Sequence, residues 1–184
     1  MKTLGARNKS KGSQFEREIC KRLSLWFSYN QRDDLFWRSA MSGGRATVKF
    51  KKGGDNLTQV GDISAIDPSG APLTDRFVIE CKNFNNVKLH SILTGISSKG
   101  TLIGEYNKLL TLAKSVNKLP MLIMRQKGQF EILVSSAINT YSSPSVIIPD
   151  RGIKIFILNK WIDNEPPEGY GSEYGKKRVR RVKG

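Results

Sequence analysis

Two short apolar runs in this chain carry acids, Gly61-Asp62-Ile63 and Val78-Ile79-Glu80-Cys81-Lys82, and seventeen residues separate Asp62 from Glu80. Side chains alternate faces along a β-strand, so Glu80 and Lys82 point the same way, about 6.5–7 Å apart along the chain. Phe77, Ile79 and Cys81 take the opposite face and can be buried. If the two runs pair as neighbouring strands, Asp62 sits beside Glu80. Two carboxylates with a lysine alongside are the parts needed to hold Mg²⁺ and activate a water at a phosphodiester. An isolated Glu-x-Lys is ordinarily the solvated face of an edge strand. Here the flanking residues describe central, half-buried strands, where an acid raises the free energy unless it is paired or metal-bound.

The rest of the chain suits a polyanionic partner. Lys and Arg number 31 against 16 Asp and Glu, a formal net charge of +15, which points to nucleic acid or an anionic membrane surface. No apolar run approaches the ~20 residues of a spanning helix, and no basic amphipathic helix is evident, so a membrane partner is not expected. The N-terminus has charge but no apolar signal-peptide core, which predicts a cytoplasmic protein. Cys20 and Cys81 form no Cys-x-x-Cys pair and fit buried free thiols, and with His90 as the sole histidine a zinc site has almost nothing to work with.

At 184 residues, 38% of them hydrophobic, the chain is expected to form one folded domain. Residues 1–10 read as a flexible basic N-terminus, 11–165 as the domain, and 166–184 as a basic, disordered tail. Ser13 and Glu16 form a capping-box pattern before a helix to about Tyr29, with Phe15, Ile19, Leu23 and Trp26 as its apolar stripe. Strands are expected at 35–40, 60–66, 77–82, 119–124, 130–134 and 153–158, a turn at 67–70 and a helix over 101–117. The glycine-rich basic segment 42–54 reads as a long loop or flexible hairpin. The order implies α/β architecture around one central mixed sheet.

Glu18 has Lys21 and Arg22 one helical turn on, so it reads as a surface salt-bridge residue. Glu16 has Ile19 and Cys20 there instead and lies at the margin of the apolar stripe. It serves either the capping box or the reactive cluster.

Taken in order, Lys11-Gly12-Ser13-Gln14-Phe15-Glu16-Arg17-Glu18, Ser42-Gly43-Gly44, Gly61-Asp62-Ile63, Ile79-Glu80-Cys81-Lys82 and Leu119–Arg125 resemble the PD-(D/E)xK nuclease superfamily. Within it they are most similar to archaeal-type Holliday junction resolvases and phage resolvases. The resemblance covers about residues 11–126. It implies a restriction-endonuclease-like central mixed β-sheet flanked by helices. It implies that Asp62 and Glu80 ligate Mg²⁺ with the Cys81 carbonyl, Mn²⁺ being able to substitute. Lys82 would orient or deprotonate the attacking water. Glu16 would hold a second metal or a bound water, and Ser42 would stand near the scissile phosphate, with Ser39 as its rival. Gly61 stands where the superfamily's name has a proline, and Tyr106, Asn107 and Lys108 stand where related phage sequences carry a glutamine.

DNA contacts are expected from Arg45, Lys49, Lys51 and Lys52 on the glycine-rich segment and from Lys176, Lys177, Arg178, Arg180 and Arg181 in the tail. Lys11, Arg38, Lys108 and Arg125 are further candidates. Phe36, Trp37 and Trp26 can stack on bases, but core packing is the expected use of all three. Symmetric cutting of a four-way junction would make a homodimer the natural arrangement. The rivals are a structure-specific or restriction-type nuclease on duplex DNA and a non-catalytic basic DNA-binding protein.

Overall fold

The computed structural model of the protein describes residues 4–39, 60–84, 101–126, 128–138 and 141–174, with side chains from residue 10 onward. Ser42, Arg45, Lys49, Lys51, Lys52, His90 and the basic residues 176–181 lie outside the described residues. The chain divides into two compact units, one from residues up to Arg76 together with those from Pro166 onward, the other Phe77–Glu165.

The first unit is organised by helix α1 (Leu4–Phe27). Its expected stripe is real: Phe15, Ile19, Leu23 and Trp26 are all buried, with Cys20 and Phe27 beside them. The start differs from expectation. Ser13 lies well inside the helix and is not its N-cap, because Ala6, Arg7, Lys9 and Lys11 all favour helix and Gly5 and Gly12 disfavour it by only ~1 kcal/mol each. The helix ends where Tyr29 and Asn30 take left-handed backbone angles and the Asn30 amide caps the Leu25 carbonyl at 2.7 Å.

Strand β1 (Phe36–Arg38) is fastened to that helix by one buried hydroxyl. Ser24 Oγ donates to the Cys20 carbonyl at 2.8 Å and accepts from the amides of Leu35 and Phe36, both at 3.1 Å. Phe36 meets Phe27 edge-on at 5.7 Å. β1 pairs antiparallel with β2 (Ile63–Ala65), Trp37 opposite Ser64. The expected turn is a 3₁₀ turn, Pro68–Gly70, whose cap Asp67 accepts from the Ser69 amide at 2.9 Å. Hydrogen bonds from Ser69 and the Arg32 guanidinium hold the Asp67 carboxyl down to about 2. Helix α2 (Ala71–Arg76) follows. Its six residues around Pro72 are too few to register as a 3.6-residue period.

Residues 166–174, expected in the tail, belong to this unit. A 3₁₀ turn (Pro167–Tyr170) sets the Tyr170 ring against Trp26, with ring centres 5.3 Å apart. Ser172 Oγ donates to the Phe27 carbonyl at 2.6 Å. Gly171 has φ +90°, and a Cβ built there would stand 2.7 Å from Pro72 Cβ. Gly171→Ala is therefore expected to destabilise by about 1–3 kcal/mol, read as a lowered denaturant midpoint. An unchanged midpoint would show that the stretch does not hold its place.

The second unit is a five-stranded mixed sheet of order β3-β4-β5-β7-β6. β3 (Phe77–Phe84) runs parallel to β4 (Leu119–Gln126). The parallel crossover contains helix α3 (Leu102–Ser115), N-capped by Thr101 Oγ1, which accepts from the Gly104 amide at 3.0 Å. The remaining strands, β5 (Ile132–Ser135), β6 (Val146–Ile148) and β7 (Ile153–Ile157), pair antiparallel. Helix α4 (Leu158–Asn164) closes the unit with Trp161 fully buried. Val78, Ile79, Met121, Leu122, Ile123, Leu133, Val134 and Phe156 make the core of the sheet.

One expectation about pairing fails. The acid-bearing runs are not partners: β2 pairs with β1, and β3 lies in the separate five-stranded sheet beside β4. Among the described residues no helix is long and apolar enough to cross a membrane.

Candidate active site

In the second unit the alternation along β3 is as the sequence predicts. Phe77, Ile79 and Cys81 are buried, while Glu80 and Lys82 are half-buried on the other face. The Lys82 ammonium donates to Glu80 Oε1 across the two-residue repeat. Their cross-strand neighbours Leu122 and Met124 are buried. The pair thus stands on an apolar wall that excludes water from one side and strengthens its electrostatics.

In the first unit Asp62 stands immediately before β2 and is buried to 5% exposure. Its carbonyl accepts from the Ser39 amide at 2.9 Å, and Ser39 Oγ meets Ser64 Oγ at 2.5 Å. Gly61 before it has φ +98°. Proline is locked near −65° and cannot take that angle, so glycine in place of the superfamily's proline follows from this backbone. Glu16 projects from the middle of α1, and its Oε2 accepts from Arg38 Nε on β1. One turn on, Cys20 feels all of these groups. Burial first, and then the Glu16 charge, pushes its thiol up to about 12, with Asp62 adding to the rise and Arg38 opposing it. At that value the thiol stays protonated and is no nucleophile at neutral pH.

The structure therefore brings Glu16, Arg38 and Asp62 together around Cys20, and Glu80 and Lys82 together on β3. Among the described residues no three Asp, Glu, His or Cys side chains form a ready metal-holding cluster. The donor chemistry nevertheless suits Mg²⁺. Glu16, Asp62 and Glu80 offer hard carboxylate oxygens, and Mg²⁺ needs only one or two of these beside its waters.

The cations expected on DNA are placed individually. Lys11 is exposed on α1. Arg38 pairs with Glu16 and is three-quarters buried. Lys108 is exposed on α3 and reaches Glu105 at 2.6 Å. Arg125 on β4 pairs with Glu131 at 2.8 Å. Tyr106 is buried, its hydroxyl 2.7 Å from Ser136, so this helix position serves packing. Trp26 and Phe36 are core residues as expected, but Trp37 is 52% exposed, because β1 turns alternate residues outward. The Glu16–Arg38 pair was missed from the sequence, since 22 positions separate the partners and no local pattern marks them.

No curated protein and no solved structure matches the chain. The model of one family, described as phage putative PDDEXK endonuclease, matches residues 7–151, a span that contains Glu16, Asp62, Glu80 and Lys82. With that match over most of its length, the chain belongs to the phage PDDEXK endonuclease family and is a nuclease.

Proposed function

We propose that the protein is a Mg²⁺-dependent endonuclease that cuts branched DNA in the manner of a Holliday junction resolvase. The observation that carries the chemistry is the Glu80–Lys82 pair, held on one half-buried face of β3 in a nuclease family. On the similarity of the ordered motifs, Asp62, Glu80 and the Cys81 carbonyl would hold the metal and Glu16 a second ion or a bound water, and Mn²⁺ would be able to substitute. A cation held there would supply Lewis acidity toward the phosphodiester. Lys82 orients the attacking water, and its ammonium meets charge developing on the phosphate. Glu80 keeps Lys82 in place. Arg38 pairs with Glu16 and offsets its charge.

The branched-substrate reading rests on the similarity of the ordered motifs to junction resolvases. On the same similarity Ser42, or its rival Ser39, would stand near the scissile phosphate. Arg45, Lys49, Lys51, Lys52, Lys176, Lys177, Arg178, Arg180 and Arg181 supply sequence-independent phosphate contacts. Two symmetric cuts on a junction are made by a homodimer.

The test compares labelled four-way junction and matched linear duplex, with Mg²⁺ and with chelator. Paired, symmetric, Mg²⁺-dependent nicks confined to the junction, and absent with Asp62→Asn, are expected. Equal cutting of the duplex would retain the nuclease and discard the junction. Tight binding of both DNAs without cleavage under any divalent metal would make the protein a binding module.

A further inference from the structure

A second feature of the five-stranded unit lies away from the acidic residues. A pocket of about 230 Å³ opens where residues 141–145, the end of β7 and helix α4 meet, lined by Tyr141, Ser142, Ser143, Ser145, Phe156, Ile157, Lys160, Trp161 and Asn164. Phe156 and Trp161 are fully buried and give it an apolar wall, while Tyr141 at the rim is 86% exposed. Lys160 is exposed beside it.

The pocket is built into the fold. The Ser142 amide donates to the buried carboxylate of Glu165 at 3.1 Å, and the Ser145 amide donates to the Ile155 carbonyl at 2.8 Å. Both ends of the 141–145 stretch are thereby tied down. Asn164 donates its amide to the Lys160 carbonyl at 2.7 Å, which fixes its rotamer and makes its carboxamide oxygen the acceptor end.

Strand register relates the pocket to the reactive end of β3. One row crosses the sheet from Lys82 through Met124 and Ile132 to Ile157. Three inter-strand steps make that about 14 Å, on the order of four nucleotides of a stacked strand. The register thus puts Ile157, in the lining of the pocket, on the same row of the sheet as Lys82.

We infer that this pocket takes one unpaired base of the DNA substrate, with Tyr141 stacking on the ring, Lys160 meeting the adjoining phosphate, and Ser143 and Asn164 meeting the polar edge. The volume is below the ~300–1,000 Å³ of sites for drug-sized ligands and suits a single planar ring. An exposed aromatic beside a cation is the arrangement by which single-stranded DNA is held. A duplex keeps its bases stacked inside, so the pocket selects strands with an open or splayed base. The inference rests on the protein acting on DNA. Flaps, forks and bulges supply such bases, whereas the arms of a four-way junction are fully paired, so the pocket bears on the class of branched DNA that the protein takes.

The test uses the full chain in chelator, so that nothing is cut, with single-stranded oligonucleotides carrying 2-aminopurine at one position at a time. Wild-type protein should change the emission at a restricted set of positions. Tyr141→Ala should weaken binding on the order of ten-fold or more and abolish that position dependence, while Tyr141→Phe retains both. Lys160→Ala should reduce the magnitude of the salt slope of log affinity by about 0.7. Melting temperatures matching wild type would certify the folds. If Tyr141→Ala binds and emits as wild type does, the pocket is not a base site, and the nuclease reading stands untouched. If wild type binds neither single-stranded nor junction DNA, both readings fall together.

Discussion

Ser24→Ala is expected to destabilise the protein by about 2–5 kcal/mol, although it deletes a single oxygen. The hydroxyl is fully buried and accepts from two backbone amides, those of Leu35 and Phe36. A buried amide that loses its acceptor costs about 1–3 kcal/mol, and two are orphaned at once. The Cys20 carbonyl also loses the Ser24 hydroxyl, a smaller term because it sits inside a helix with a backbone donor available. The measurement is a urea titration, with a lowered midpoint and an unchanged slope. Ser115→Ala makes the control. Its hydroxyl bonds the Leu112 carbonyl on an exposed helix face, and its loss should stay within about 0.5 kcal/mol. A Ser24→Ala loss below about 1 kcal/mol would mean that β1 does not depend on this hydroxyl for its seat on α1. Arg38 rides on β1, so cleavage should also fall in Ser24→Ala at temperatures where the protein is still folded.

What could be read from the sequence follows the range of the interactions. The β3 alternation was legible because a two-residue period is local, and Glu80 and Lys82 occupy the face it assigns. The Phe15–Trp26 stripe was legible for the same reason at the helical period. The helix start was not. Ser13 and Glu16 satisfy the capping-box spacing, but Glu16 instead meets Arg38 on a strand far along the chain. Partner choice between strands is also non-local. Asp62 and Glu80 share a chemical pattern, yet β2 takes β1 as its neighbour and β3 takes β4 through a helical crossover. β6 was not expected, since Val146, Ile147 and Ile148 are all apolar and show no alternation. In the stretch after Trp161 the proline and glycine content suggested tail, while the contacts that fold it, Tyr170 on Trp26 and Ser172 on the Phe27 carbonyl, are with residues far back along the chain.

Glu80→Gln is expected to lower the single-turnover cleavage rate on the order of a thousand-fold or more while DNA binding in chelator is retained or strengthened. The two effects have separate causes. The substitution keeps the shape of the side chain but removes the charge that would hold a divalent cation, and Lewis-acid assistance amounts to several kcal/mol of barrier. It also removes one negative charge from a protein of net charge +15, which can only favour a polyanion. Asp62→Asn should behave alike, with the added burden that Asp62 is 5% exposed. Its melting temperature must therefore be compared before its rate is interpreted. Lys82→Ala should lower the rate by about 10²–10³ as a lost charge-stabilising donor and weaken binding only slightly. Lys82→Arg should not rescue it, because guanidinium keeps its proton and presents a planar fork where the ammonium is a compact point charge. The Lys82 and Glu80 side chains are 31% and 22% exposed, so either loss should stay below the ~3–5 kcal/mol of breaking a fully buried pair. Wild-type cleavage by both Glu80→Gln and Lys82→Ala would remove the reaction from β3. Loss of cleavage together with loss of DNA binding would assign the pair to substrate affinity instead of to the chemical step.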